Sequence, residues 1–324
     1  MKDKFMIPRV RFAHLPTPIE PLPRLSEVLG GPQLLVKCDD QTGLAFGGNK
    51  TRKLEFLVAE AQAAGADTLI TTGALQSNHC RQTSAAAAKF GFECFLVLVG
   101  EPTDRVSANL LLDQLFGAKI IWAKKNDREA ILTDTFEKVL GQGHKPYLVP
   151  YGGSNSTGAL GYVFAMDEFV GQAVKSDWVI FASSSGGTQA GLVLGAHLFN
   201  YPGRLLGISV DEPKEVLQAR VATLASETSE RLGPHIEFTP QQVLVNADYA
   251  IPGYGNLTKA ERDSIQLFAK YEGLLLDPVY TGRAAAGLID LIRKGFFRRE
   301  ETVLFWHTGG QPALFAEKYQ SELA

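Results

Sequence analysis

The chain has 324 residues, which is enough for one large folded domain or two ordinary ones. Apolar residues make up 45% and charged residues 21%, a composition that is typical of globular proteins and excludes disorder as the dominant state. The 32 Lys and Arg residues against 35 Asp and Glu residues give a net charge of −3, so we expect the chain to bind neither nucleic acid nor an anionic membrane surface.

Strand-like and helix-like segments alternate along most of the chain. In chain order, β-rich runs predict strands over 67–72, 92–99, 119–122, 146–149, 178–182, 205–210 and 303–306. Helical patterns predict helices over 77–90, 106–116, 128–140 and 283–294. This alternation predicts an α/β fold with open, mostly parallel sheets and helices on both faces.

The cysteines and the N-terminal segment indicate in which cellular compartment to expect the protein. Cys38, Cys80 and Cys94 form no CxxC pair and no metal-spaced cluster with His, which favours a reducing environment and no metal site. Residues 1–12 carry Lys and Arg without an apolar core, so we expect no signal peptide. The apolar run at 94–99 is far too short to span a bilayer. We therefore expect a cytoplasmic protein.

Glycine-rich breaks follow several of the predicted strands. They are Gly47-Gly48, Gly73, Gly152-Gly153, Gly186-Gly187 and Gly309-Gly310. Ligands of open α/β sheets bind at such turns, at the carboxyl ends of strands. Turns that are spread over the whole chain predict one cleft built from distant segments.

The segment GGNK places a lysine at the start of a predicted helix. Gly47 and Gly48 free the backbone there, and Lys50 follows. A lysine in this position can be a Schiff-base nucleophile if its pKa is lowered. The alternative is a solvated lysine in the basic start of a helix.

The segment SSSGGTQAG at 183–191 follows a predicted strand and opens a helix. Amides freed by glycine at a helix N-terminus, with hydroxyl groups beside them, suit an anion and a phosphate in particular. The segment lacks the GK[ST] ending of a Walker loop and is not GxGxxG, which disfavours a dinucleotide. An ordinary strand–helix turn capped by Ser and Thr is the alternative.

Three further segments carry polar side chains with two possible roles each. Ser77 is a good N-cap whose helix amides can hold a carboxylate, its hydroxyl can transfer a proton, and Asn78 can bond a ring hydroxyl; capping alone is the alternative. Tyr280 is either a general acid or base or a buried tyrosine with a satisfied hydroxyl. His307 has no metal partner at a suitable spacing, and we expect a structural role.

A lysine and a phosphate cradle in one α/β chain are the parts that pyridoxal 5′-phosphate (PLP) requires. Nearly the whole chain, from about residue 16 to about 316, also resembles the family of D-cysteine desulfhydrase and 1-aminocyclopropane-1-carboxylate (ACC) deaminase. The segments that carry the resemblance, in the same order, are GGNKTRKLEFL, TTGALQSNHCRQT, VPYGGSNSTGALGY, SSSGGTQAG, LLLDPVYTGRAAAGLIDLI and LFWHTGGQPALFA. It implies the two-domain tryptophan-synthase-β-like fold, which is PLP fold type II.

The resemblance also implies a role for individual positions. The cofactor would be bound by Lys50, Asn78, Ser185, Gly186, Gly187, Thr188 and Thr308. The substrate would be bound by Ser77, Asn78, His79, Tyr254 and Tyr280, and the catalytic residues would be Lys50, Tyr280 and Ser77. Asn78 would bond the O3′ of the cofactor, and Thr308 would face its pyridine nitrogen.

The chain departs from the desulfhydrase pattern at two positions. Cys38 stands where the family has an arginine, in KCDD instead of KRDD, so the function of that arginine is lost. Ser184 stands where the family has a glycine in the phosphate loop. A serine is tolerable there if its φ is negative.

Thr281 indicates which reaction to expect. ACC deaminases carry Glu at this position, and a carboxylate near the pyridine nitrogen would keep that nitrogen protonated and the ring strongly electron-withdrawing. Thr308 does not enforce protonation. Opening a cyclopropane needs the stronger electron sink, whereas β-elimination of a good leaving group needs it less, so the sequence favours β-elimination.

The expected reaction starts with Lys50, which removes the Cα proton with the help of Tyr280. The β-substituent then leaves, and pyruvate and ammonia are formed. D-Cysteine is the first choice of substrate, L-cysteate is the second, with Arg81 or His79 beside its sulfonate, and ACC is the third. A non-catalytic amino-acid-binding protein would be expected to lack Lys50, and a nicotinamide oxidoreductase would need GxGxxG.

Two α/β domains are expected. The large, PLP-binding one combines 1–49 and 157–324, and the small, mobile one is 50–156. The cofactor would lie between them, and closure of the small domain would exclude water. The resemblance also implies a homodimer that acts on a small amino acid.

Overall fold

The computed structural model describes residues 7–233 and 235–323. The strands are β1 (Ile19–Pro21), β2 (Gln33–Cys38), β3 (Thr68–Ala74), β4 (Glu93–Val99), β5 (Lys119–Ala123), β6 (Pro146–Leu148), β7 (Trp178–Ser183), β8 (Arg204–Ser209), β9 (Leu244–Asn246) and β10 (Thr302–His307). The α-helices are α1 (Pro23–Leu29), α2 (Asn49–Ala63), α3 (Asn78–Phe90), α4 (Ala108–Leu115), α5 (Arg128–Gly141), α6 (Ser156–Gly171), α7 (Gly187–Leu198), α8 (Lys214–Glu230), α9 (Lys259–Glu272), α10 (Thr281–Arg293) and α11 (Glu317–Leu323). Short 3-10 turns occur at Asp39–Gln41, Leu44–Phe46, Tyr151–Gly153, Pro240–Gln242 and Gln311–Phe315.

The larger of two sheets has six strands in the order β1-β2-β10-β7-β8-β9. The pairs are parallel except for β1, which runs antiparallel to β2. Every residue of β7 is buried, and its sequence, WVIFAS, is mostly apolar, as expected for a strand that is covered on both faces. The order places β10 at the centre, between β2 and β7.

The smaller sheet has four parallel strands in the order β5-β4-β3-β6. Helix α3 follows β3 directly and begins where the Ser77 side chain accepts a hydrogen bond from the Cys80 amide at 3.2 Å. It ends at Gly91, whose φ of 76° is the left-handed conformation that glycine adopts at helix ends.

The predicted α/β architecture is confirmed. The helix expected over 77–90 is α3, with Ser77 as its cap, and the strand expected over 178–182 is β7. Strands β1, β2 and β9 were not predicted. In β2, Lys37 interrupts the apolar run of QLLVKC, although the structure buries it completely.

The small sheet lies within 50–156, the range that the sequence predicts as the small domain. Helix α2, which starts that range, packs against α3 and also against α6 of the other part. The domain boundaries and the mobility of the small domain stay predictions. Among the described residues, no helix combines the length and the apolar character that crossing a membrane requires.

Candidate active site

A cleft lies between the two sheets, at the carboxyl ends of their strands. The small sheet contributes the turn after β3 and the turn after β6, and the large sheet contributes the turns after β7 and β10. Predicted site residues that line the cleft are Lys50, Ser77, Asn78, His79, Ser185, Gly186, Thr188, Tyr280 and Thr308. The structure therefore brings distant segments to one place, as the glycine-rich turns indicated.

Lys50 lies in the first turn of α2. The loop before it is fixed by the Asn49 amide, which donates to the Thr308 carbonyl at 2.9 Å and so joins the start of α2 to the end of β10. Burial lowers the pKa of Lys50 to about 8. About a tenth of the amines are then neutral and nucleophilic at pH 7, a far larger share than for a solvated lysine.

The start of α7 forms a polar loop with hydroxyl groups. Gly186 has a φ of 86°, which turns the chain into the helix. The Ser185 and Ser154 hydroxyls lie 2.7 Å apart, and the Gly187 amide donates to the Ser154 oxygen at 3.3 Å. The Thr188 hydroxyl accepts from the Asn49 side chain at 3.0 Å, which ties this loop to the segment that carries Lys50.

Lys53 adds a second buried amine behind this loop. It donates to the Gly152 carbonyl at 3.1 Å and to the Ser154 hydroxyl at 3.2 Å. Burial, together with the nearby Lys50, lowers the pKa of Lys53 well below its usual value. No acidic side chain lines the cleft in the described part of the chain. Two amines and a helix N-terminus without a carboxylate provide the surroundings that a phosphorylated aldehyde requires.

The start of α3 forms the opposite wall. Ser77 caps the helix, and the first amides of a helix have no acceptor within it, so they suit a carboxylate. The Asn78 side-chain oxygen accepts from Asn109 at 2.9 Å, which leaves the Asn78 NH₂ group as a donor. Asn109 is fully buried and also donates to the Gln76 carbonyl at 2.8 Å, so it fixes the orientation of Asn78.

His79 is buried beside Ser77 and is neutral. Its Nε2 lies 2.8 Å from the Thr71 hydroxyl, and that hydroxyl donates to the Val149 carbonyl, so Nε2 donates to Thr71. Burial, followed by the charges of Lys50 and Lys53, lowers the pKa of His79 well below its usual value. His79 therefore contributes no positive charge to the cleft.

Tyr280 lines the cleft, and Tyr254 lies behind it. Their hydroxyls are 2.8 Å apart, and their rings meet edge to face. Burial and the neighbouring Tyr254 raise the pKa of Tyr280 well above its usual value. Tyr254, predicted to contact the substrate, is not a lining residue, and Gly187 is likewise outside the lining.

Thr281 does not face the cleft. Its hydroxyl donates to the Asp277 carboxylate at 2.7 Å, and the Asp277 amide donates to that hydroxyl, also at 2.7 Å. The Thr281 hydroxyl is therefore engaged by Asp277, whose carboxylate also accepts the Tyr280 and Thr281 amides at the start of α10. Thr308 does line the cleft. The hydroxyl expected to face the pyridine nitrogen in place of a carboxylate is therefore that of Thr308 and not that of Thr281.

His307 has both ring nitrogens satisfied by the backbone. Its Nε2 lies 3.1 Å from the Leu275 carbonyl and its Nδ1 accepts from the Gly309 amide, which requires a neutral ring protonated at Nε2. Cys38 is a fully buried thiol, and burial raises its pKa to about 12. Ser184 is not among the described residues with positive φ, so the serine fits the loop without backbone strain.

Among the lining residues that sequence reasoning did not predict as site residues, Tyr151 has the largest side chain. It follows β6 on the turn Tyr151–Gly153 and reaches the cleft. The signal was present, because Gly152 and Gly153 mark one of the glycine-rich turns after a strand. Because no role was assigned to that turn, the tyrosine before its glycines was not predicted as a site residue.

The geometry suits PLP, and comparison with known proteins agrees. A model of the family described as "Pyridoxal-phosphate dependent enzyme" matches residues 10–309. The chain belongs to this family. Its cofactor is pyridoxal 5′-phosphate, as the sequence predicted.

Solved structures of three other proteins share the fold. A crystal structure titled as an ACC deaminase homologue is 39% identical, covers 98% of this chain and 96% of its own, and superposes with a TM-score of 0.90. A PLP-dependent aspartate racemase is 14% identical, with coverages of 91% and 90% and a TM-score of 0.66. A fungal L-serine ammonia-lyase from Rhizomucor miehei is 17% identical, with coverages of 97% and 100% and a TM-score of 0.69. These likenesses confirm PLP fold type II.

Proposed function

We propose that this PLP enzyme is a carbon–sulfur lyase that eliminates the β-substituent of a small sulfur amino acid, with D-cysteine as the first substrate. The products would be pyruvate, ammonia and sulfide. One observation carries the choice of reaction: among the described residues, no acidic side chain lines the cleft, and Thr308 places a hydroxyl in the lining.

The cofactor supplies one chemical property when bound: it withdraws electrons from the substrate Cα and so makes the Cα proton acidic. The cofactor phosphate would be held by Ser185, Gly186, Thr188 and the start of α7. Asn78 would donate its NH₂ group to the cofactor, because Asn109 occupies its oxygen. Lys50 would carry the cofactor through its amine.

The protein groups would then manage the substrate and its protons. Ser77 and the first amides of α3 would hold the carboxylate of the substrate. Lys50 would take the Cα proton at Nζ, because its lowered pKa leaves part of the amine neutral. Tyr280 would assist, since its hydroxyl keeps its proton and is positioned by Tyr254.

The bond changes balance without a further reactant except water. The Cα–H and Cβ–S bonds break, and sulfur leaves with the electron pair as sulfide. The released enamine takes up water and gives pyruvate and ammonia. A thiol is a good leaving group, so this reaction tolerates the modest electron withdrawal that a cleft without a carboxylate provides.

L-Cysteate is less well supported. A sulfonate needs a cation or a set of donors, and neither of the two side chains considered for that role places a positive charge in the lining. Arg81 is buried outside the lining and donates to the Gly47 carbonyl at 3.0 Å. His79 is neutral.

ACC is the second candidate, because the 39% identical structure is titled as an ACC deaminase homologue. Opening its ring would need stronger electron withdrawal than the lining of this cleft indicates. Thr281 does not change this conclusion, since its hydroxyl is bound to Asp277.

A panel of substrates tests the proposal. We expect pyruvate and sulfide from D-cysteine, and no comparable 2-oxo acid release from L-cysteine, L-cysteate or ACC. Sulfite from L-cysteate would move the function to a sulfonate lyase. 2-Oxobutyrate from ACC as the main product would overturn the argument from Thr308. We also propose that the protein is cytoplasmic and forms a homodimer. Light scattering of the purified protein would test the homodimer.

A further inference from the structure

Tyr151 stands on a turn whose shape is fixed. Gly152 and Gly153 have φ values of 66° and 61°, a conformation that suits glycine, and the Gly153 amide donates to the Pro150 carbonyl at 2.7 Å. A Cβ on Gly152 would lie 2.5 Å from the Ser185 hydroxyl oxygen, so this turn packs tightly against the loop at the start of α7. The backbone of Tyr151 therefore has little freedom to move relative to the cleft.

The side chain of Tyr151 is one of two phenol rings in the lining, and Tyr280 is the other. Apart from the lysine and the imidazole of His79, the other lining residues of the described cleft are Gly, Ala, Ser, Thr and Asn. Tyr151 comes from the small sheet, whereas Tyr280 begins α10 beside the large sheet. The two rings are thus the bulky walls of a cleft that is otherwise lined by short side chains.

Tyr151 reaches the mouth of the cleft. It is 39% exposed, and the guanidinium of Arg128 lies 5.0 Å from its ring centroid on the outer side. Tyr151 therefore borders both solvent and the cleft that Tyr280 also lines.

We propose that Tyr151 is a specificity-determining residue that limits the length of the β-substituent on the amino acid substrate. This inference rests on the proposed function, since it assigns the substituent of an amino acid to the space between Tyr151 and Tyr280. The proposed function assigns the substrate carboxylate to the start of α3 and the substrate amine to the cofactor. The β-substituent is the remaining part of the substrate, and its length is what Tyr151 would limit. A short thiol fits between the rings, and a longer chain meets Tyr151.

The test measures binding by the holoenzyme. The probes are alanine, 2-aminobutyrate, norvaline and norleucine, in both enantiomers, and the readout is the change in visible absorption of the cofactor on titration. We expect the wild type to bind the longer chains progressively more weakly. In Tyr151→Ala, the affinity for norleucine relative to alanine should rise at least about tenfold, with little change for alanine itself.

Two control variants separate size from other effects. Tyr151→Phe keeps the ring and should preserve the preference of the wild type. Phe315→Ala removes an aromatic ring that is 60% exposed and outside the lining, and should also leave the preference unchanged. If Tyr151→Phe behaves like Tyr151→Ala, the ring size is not the cause and the proposal is wrong.

The outcomes separate this inference from the proposed function. An unchanged norleucine-to-alanine ratio in Tyr151→Ala, with the cofactor absorption intact, overturns the role of Tyr151 whatever the enzyme catalyses. Binding of the series without any β-elimination from cysteine overturns the proposed reaction, while the ratio still decides the role of Tyr151. If no amino acid changes the spectrum, both proposals are wrong.

Discussion

Helix α2 carries cationic side chains into two contrasting surroundings. Arg52 enters a buried ionic cluster beneath the large sheet, whereas Lys50 and Lys53 lie at the cleft. In the cluster, Arg52 donates to Asp39 at 2.8 and 2.9 Å and to Glu168 at 2.9 and 3.0 Å. At the cleft, no carboxylate in the described part of the chain offsets the burial that lowers the pKa of the two lysines.

Every charge in the ionic cluster has several partners. Lys37 donates to Glu168 at 2.6 Å, and the Tyr162 hydroxyl donates to Asp39 at 2.6 Å. Burial alone would raise the pKa of Asp39, but Arg52 and then Lys37 and Tyr162 hold it below its usual value. The cluster therefore keeps the Asp39 carboxylate charged at neutral pH, and it joins β2, α2 and α6.

The fold therefore uses paired buried charges to hold its elements together and unpaired buried amines for binding and chemistry. Paired ions inside a protein hold elements together but are chemically inert, since each proton is held by its partners. Unpaired amines are costly to bury, and they are found where a ligand supplies the missing charge or where a nucleophile is needed.

The largest expected effect comes from Lys50→Ala. Removing the amine should lower turnover at least about 10³-fold, because the group that carries the cofactor and takes the proton is lost. The measurement is pyruvate release, together with borohydride reduction, which should no longer attach the cofactor covalently. Lys89→Ala, at an exposed lysine, is the control. Full turnover in Lys50→Ala would refute the assignment.

Breaking the ionic cluster should affect stability. Arg52→Met leaves the buried Asp39 and the partly buried Glu168 with fewer counter-charges, and should lower the free energy of unfolding by about 3–5 kcal/mol. Chemical denaturation of the holoenzyme measures this. Arg52→Met combined with Asp39→Asn should cost less than the sum of the single changes. A loss below about 1 kcal/mol for Arg52→Met would show that the cluster is not needed for stability.

Lys53→Met tests the other surroundings. Like Arg52, Lys53 is a buried cation of α2, but it has no carboxylate partner among the described residues. We expect a loss of about tenfold in affinity for PLP, since a donor behind the Ser154–Ser185 hydroxyl pair is removed from beside the expected phosphate. Equilibrium titration of the apoenzyme with PLP measures it. A purely structural role would instead lower stability and leave the affinity for PLP unchanged.

The smallest expected effect is the pH dependence of cofactor attachment. The neutral amine of Lys50 is the reactive form, and its pKa of about 8 lies below that of an ordinary lysine. Attachment of PLP to the apoenzyme should therefore accelerate about tenfold per pH unit below pH 8 and level off above it. A rate that still rises tenfold per unit at pH 9.5 would place the pKa of Lys50 at its ordinary value.

Local sequence patterns predicted those helices and strands whose signals lie within their own residues. The runs at 178–182 and 77–90 form β7 and α3 because an apolar run and a capped, Ala-rich segment carry their own signals. Strand β2 was not predicted, because Lys37 reads as a surface charge. Its buried amine donates to Thr17 and also to Glu168 and Gln172, which lie 131 and 135 residues later in the chain.

The candidate site shows the same limit. Lys50 and the loop at Ser185–Thr188 could be identified because glycines and hydroxyls at a helix start have a direct chemical meaning. Thr281 could not be placed correctly, since only the three-dimensional structure shows that Asp277 takes its hydroxyl. Tyr151 was missed because the glycine-rich turn that follows it marked the cleft without showing that the tyrosine before the glycines is part of the lining.

The central place of β10 has a consequence for synthesis. This strand is the last of the described strands in chain order, yet it lies between β2 and β7 and pairs with both. A growing chain that has not yet released residues 302–307 from the ribosome cannot join the two halves of its large sheet. Thr308, at the end of that strand, must also arrive before the loop at Asn49 is anchored. We therefore expect nascent chains to be unable to hold the cofactor until synthesis has passed this strand, so that incomplete copies remain inactive.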